Sequence, residues 1–179
     1  MLTTLLLFTR FSIVSAEDQL MNNTSSQADL VKQSVEELKH AIEQKHPAAY
    51  YILASKLFEE NKKDEAVFWF YTGQLRYRFH LMASRNLNPS GDPALFSSFS
   101  EVIGRPLNEY AFGDISQLVK TIDEVLKWDE THENGFTSKT QHHEAHKGIC
   151  DGLVQMRNYV LENQEEIKRQ RMKNGLENR

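Results

Sequence analysis

The stretch QHHEAHKGIC, residues 141–150, combines metal-ligating side chains at a spacing that a helix can use. His142 and His146 are four residues apart, so on a helix both imidazoles point the same way. They could clamp a metal such as zinc, with Glu144 or Cys150 adding a ligand. The order is not that of the zincins, which need H-E-x-x-H; His143-Glu144-Ala145-His146 is one residue too short. His132 and Glu133, in the preceding loop, are the nearby candidates for a third ligand. A polar first turn of a solvated helix accounts for the same residues without any ion. A protein without a cofactor is therefore the main expectation, and zinc at His142 and His146 the alternative.

Other catalytic signatures fail sooner. Cys150 is the one cysteine and lacks the flanking motif of a thiol enzyme. No G-x-S-x-G, P-loop or dinucleotide-binding glycine pattern occurs. The pairs Glu59-Glu60 and Glu165-Glu166 read as solvated helix faces. No residue is assigned a catalytic role.

Residues suited to binding form two groups. Arg76 and Arg78, with Gln74, Tyr77 and His80, could line a pocket for a carboxylate or an acidic partner loop. The competing expectation is that each arginine pairs internally, with Glu101 or Glu109, because a buried helix needs its charges neutralised. The second group is IGRPLNEYAFGD, which places Arg105, Asn108, Glu109 and Tyr110 in a segment without helical period. Leu107, Ala111 and Phe112 should anchor it against the helices. Such a loop is either a structural plug or a binding surface. A recognition site is expected here, beside Trp69 and Arg76.

The elements that position these residues are helices. The chain has 179 residues, 40% of them hydrophobic, enough for one domain with a real core. A formal charge of −4 argues against general nucleic-acid binding. No alternating strand pattern of useful length appears. Leu30, Val31, Val35, Leu38 and Ile42 recur at helical spacing, after a capping arrangement of Ser26 with Asp29, and this helix should end near Lys45. A second helix starts at Pro47, and a third runs from the N-cap Asp64 to about Arg85. Asp92-Pro93 opens a short helix closing at Gly104. Asp114 caps the next, with Ile115, Leu118, Val119, Ile122, Val125 and Leu126 on its apolar face. The last runs from about Lys139 to Lys173, with Gly175 as its terminator. The expectation is a compact all-α bundle of about six helices. The aromatic run DEAVFWFYTGQLRYRFHLM, residues 64–82, is apolar around most of a helix, with Glu65, Thr72 and Arg76 as a narrow polar stripe beside Trp69. Polar residues recur too often for a membrane span, so this is a central helix wrapped by others.

Tyr50, Leu53, Ala54 and Leu57, followed by Ala66, Phe70 and Gly73, resemble one helix-turn-helix unit of the tetratricopeptide and Sel1-like repeat families. The resemblance implies that Ala54, Ala66 and Gly73 let two helices approach closely, while Tyr50, Leu57 and Phe70 fill the groove between them. Asp64-Glu65-Ala66 with Trp69 is similar to the Sel1-like pattern in particular. Only residues 47–80 are covered, no proline stands near Arg78, and no second copy follows. What is implied is a repeat-like hairpin inside a compact domain, not a solenoid. An ordinary αα-hairpin is the alternative.

The first residues, MLTTLLLFTRFSIVSA, are apolar, lack acids and end in Val14-Ser15-Ala16, as a secretory signal cleaved after Ala16 would. Residues 17–26 then read as a polar linker and 27–179 as a single helical domain. Cleavage takes away Arg10 and no acid, leaving 20 basic and 25 acidic residues, net −5. Cys150 is then alone in an oxidising compartment, so the fold must rest on packing. Together these features describe a periplasmic or secreted protein-binding module, an adaptor or an immunity-type inhibitor, whose partner is another protein. A metal-dependent enzyme and a self-assembling structural subunit are the alternatives.

Overall fold

The computed structural model describes residues 29–179. The expected signal, the linker to residue 26 and the Ser26 cap lie outside them. The chain divides into two units between Gln33 and Ser34. Of the first, the described part is helical over 29–32, with Lys32 Nζ 3.2 Å from Asp29 Oδ1.

The second unit, from Ser34 onward, is built from helices, with no strand among the described residues. The expected first helix is split. Ser34 and Glu37 form a reciprocal capping box that starts a short helix, α1 (Val35–Lys39). Ala41 then adopts a left-handed conformation (φ 49°), and Ile42–Gln44 forms a single 3₁₀ turn. Lys45 Nζ closes α1 by donating to the carbonyls of Glu37 and Leu38.

Helices α2 (Ala48–Glu59) and α3 (Lys63–Ala83) follow, joined by a turn in which Asn61 is left-handed (φ 61°). They touch along their length, and Gly73 shows how closely: a Cβ there would lie 2.6 Å from Tyr50 Cβ. Ala54 and Ala66 are fully buried. Helix α4 (Asp92–Val102) does not end at a capping glycine. Gly104 instead opens α5 (Gly104–Ala111), and a Cβ there would sit 3.0 Å from the Phe70 ring. The segment expected to be aperiodic is thus a short amphipathic helix. Pro106 falls in its first turn, where a missing N–H costs nothing. Leu107 and Ala111 face the core.

Asp114 caps α6 (Ile115–Thr131) by accepting from the Gln117 amide, as expected. The long final helix is two helices, α7 (His143–Glu162) and α8 (Gln164–Lys173). Asn163 separates them, its side chain donating to the Tyr159 carbonyl and competing with the backbone ladder. Gly175 (φ 72°) ends α8, with the Leu176 amide reaching back to the Arg171 carbonyl.

Helix α3 packs against α2, α4, α5, α6 and α7. That position explains its composition: Phe70, Tyr71, Leu75, Tyr77 and Phe79 are all buried, on several sides of one helix. Thr72 and Arg76, expected on a polar stripe, are buried too. Among the described residues no helix is long and apolar enough to cross a membrane.

Candidate functional site

Arg76 is not a surface site. It is 1% exposed, and so is the carboxylate opposite it, Asp129 on α6. Arg76 Nε donates to Asp129 Oδ1 at 3.0 Å, and its other nitrogens donate to Tyr50 Oη and to the carbonyls of His132 and Glu133. The guanidinium lies 4.6 Å over Trp128. Burial pushes the Tyr50 phenol up to about 12, so it stays neutral. Lys139 adds a second cation, 3.2 Å from Asp129 Oδ2 and bonded to the Asp129 and His132 carbonyls. Two cations thus meet the negative end of α6 and a buried carboxylate. The internal pairing expected for Arg76 exists, but with Asp129 rather than with Glu101 or Glu109. The long sequence separation explains why the sequence did not show the partner.

His146 belongs to the same cluster. Its Nε2 lies 2.7 Å from Asp129 Oδ2 and 3.6 Å from Cys150 Sγ. Asp129, His146 and Cys150 converge closely enough to hold an ion, but Arg76 and Lys139 already neutralise that carboxylate. A thiol enzyme would place its thiol and its orienting carboxylate on opposite imidazole nitrogens. Here both face Nε2, and burial pushes the thiol up to about 11. His142 precedes α7 and lies outside the grouping, beside Met82, Arg85 and His143. His132 stacks on Trp128 at 4.2 Å.

The other expected binding residues are dispersed. Trp69 packs against Trp128 at 5.6 Å between centroids, with its Nε1 3.4 Å from Glu65. Arg105 is exposed and pairs with Glu101 one turn earlier. Tyr110 donates to Asp64 at 2.9 Å and stacks under Arg179 at 3.6 Å. Asn108 accepts from Tyr71 Oη at 2.8 Å, and with Glu109 it lines an open cleft of about 340 Å³ against Tyr159, Ile167 and Arg171.

Arg78 is different. It is exposed, and its guanidinium rests 5.5 Å over Phe96, with no carboxylate paired to it among the described residues. It lines a groove of about 200 Å³ between α3 and α7, with Leu75, Ile149, Leu153 and Met156 as apolar walls. Gly148 and Gly152 stand one turn apart on its α7 side, and a Cβ at either would meet nothing within 4 Å. Packing among the described residues therefore does not require these glycines. Each costs a helix interior roughly 0.5–1 kcal/mol against alanine. The groove sets apolar walls beside an exposed guanidinium.

A second polar centre went unforeseen. His46, before α2, and His80, near the end of α3, both bond the carboxylate of Asp92, the first residue of α4. His46 Nε2 is 3.2 Å from Oδ1, His80 Nε2 is 2.9 Å from Oδ2, and Tyr77 Oη is 3.3 Å from Oδ1. Hydrogen bonds from His46 and then His80 hold the Asp92 carboxyl well below the usual carboxylate range. Burial and the adjoining Asp92 push the Tyr77 phenol up. Asp92-Pro93 was legible only as a helix start.

No family model and no solved structure matches the chain. An uncharacterized protein of Haemophilus influenzae is 31% identical over 87 residues, which make up 48% of this chain and 33% of that protein. The chain thus spans about a third of the length of that relative.

Proposed function

We propose that the protein is an exported protein-binding module whose groove between α3 and α7 takes an apolar, acid-bearing segment of another protein. The observation that supports this most is the exposed Arg78 guanidinium at the edge of that apolar groove, with no carboxylate paired to it among the described residues. A guanidinium beside apolar walls favours a carboxylate flanked by hydrophobic side chains. Open glycines at Gly148 and Gly152 give such a segment room to lie close to the α7 backbone.

In this reading α2 and α3 are the tetratricopeptide- or Sel1-like hairpin, supported by the 2.6 Å approach at Gly73 and the buried Ala54 and Ala66. Residues 1–16 direct export to the periplasm or beyond, and the module serves as an adaptor or an immunity-type inhibitor. The test is a co-purified partner with groove variants. A partner bound by the wild-type chain should be lost with Arg78→Glu and with Gly152→Leu, while melting temperature stays the same. Retention by both folded variants would remove the groove from the account. Light scattering that shows concentration-dependent self-association, lost in the same variants, would replace the foreign partner with a second copy.

A further inference from the structure

We infer that His46, His80 and Asp92 form a binding site for a first-row divalent cation of the zinc class. The two histidine-rich polar centres differ in one decisive respect. Asp129 is neutralised by Arg76 and Lys139. Asp92 meets two imidazoles and a phenol, and no lysine or arginine is paired with it among the described residues. A partly buried carboxylate without a permanent cation favours one supplied from solution.

The donor set and its surroundings fit that ion. One ligand atom from each of His46, His80 and Asp92 lies within 4.8 Å of the others, and both Nε2 atoms face the carboxylate, a span that side-chain movement contracts to metal–ligand distances. Two nitrogens and one oxygen are the ligand types zinc takes when a fourth position stays open. His80 is oriented for the task, because its Nδ1 faces the hydroxyls of Thr137 and Ser84, each at 3.3 Å. Either oxygen can accept from Nδ1–H, leaving the Nε2 lone pair for the ion. Phe136 packs edge-on against both rings, 4.7 Å from His46 and 5.0 Å from His80, and limits the water around the site. Side-chain exposures of 24% for His46 and 16% for Asp92 leave an entry path.

His46 carries a consequence of its own. Its Nδ1 accepts from the Ala48 amide at 3.1 Å, so its Nε2 bears the proton that Asp92 receives. An ion bound at Nε2 needs that proton on Nδ1 instead, where it would confront the amide. Binding must therefore turn the His46 ring away from Ala48 and release one hydrogen bond at the start of α2. The site then joins the loop before α2, the end of α3 and the start of α4 through one ion.

The test is a titration of the full chain with Zn²⁺, repeated with Co²⁺ to read coordination by absorption, alongside amide spectra at Ala48. The expected result is one equivalent of Zn²⁺, a tetrahedral Co²⁺ spectrum and a shift of the Ala48 amide. Asp92→Asn and His80→Gln should each weaken binding by roughly 100-fold or more, beyond what loss of an outer-shell partner does. His146→Gln should leave it unchanged. If the Asp92 and His80 variants fail to fold, His46→Gln, at the half-buried edge of the site, gives the same reading. Failure of the folded wild-type chain to bind Zn²⁺ would overturn the inference. So would binding that survives these changes but disappears with His146→Gln.

Discussion

At the scale of single residues, the same side-chain types serve different ends because of what surrounds them. Arg76 and Arg78 are two positions apart on α3, yet one is sealed against Asp129 and the other is open to a groove. Arg76→Ala would leave Asp129 with Lys139 and His146 alone and take away the Arg76 bonds to the Tyr50 hydroxyl and the Glu133 carbonyl. Breaking a buried pair from one side costs about 3–5 kcal/mol. Chemical denaturation should show a loss of that order for Arg76→Ala, while Arg78→Ala should change stability little. Cys150 provides a second test. With its thiol pushed up to about 11 by burial, it is almost wholly protonated at pH 8. Alkylation should be slow there, far below that of a free thiol, and should accelerate as pH rises toward 11. Rapid labelling at pH 8 would show the thiolate to be stabilised instead.

At the scale of elements, helical period and capping chemistry were legible wherever the local signal matched the local structure. Asp114 with Gln117, the Pro47 start and the Gly175 stop all stand in the structure as they read in the sequence. Gly104 misled for a physical reason. It read as the end of a helix, but a glycine in tight contact with Phe70 suits the start of α5. Asn163 gave no breaker signal, since its effect comes from a side-chain bond to the Tyr159 carbonyl. The approach of α2 to α3 can be measured directly. Gly73→Ala sets a Cβ 2.6 Å from Tyr50 Cβ, which the helices relieve only by moving apart. Overpacking of this kind costs about 1–3 kcal/mol. A lower melting temperature is the expected outcome, and no change would mean that the two helices do not meet at Gly73.

At the scale of the whole molecule, function depends on what distant segments bring together. Sequence reading looked for metal ligands around one helix, at His142 and His146 with His132 or Glu133 just before it, whereas the cluster whose carboxylate has no lysine or arginine paired to it among the described residues gathers His46, His80 and Asp92 from three parts of the chain. It also placed Arg76 with the binding residues, because its partner lies 53 positions away on α6. Of the expected binding residues, Arg78 and Gln74 line the groove between α3 and α7, and Asn108 and Glu109 line a separate cleft. The central claim is that this groove receives another protein through Arg78. The most direct measurement is site-specific photo-crosslinking in the native host. The photoreactive residue would replace Gln74 inside the groove or, as a control, exposed Glu124 on α6. The account predicts one dominant protein adduct from position 74, none from position 124, and loss of the adduct when Arg78→Glu is added. No adduct from position 74, or one indifferent to Arg78→Glu, would contradict it.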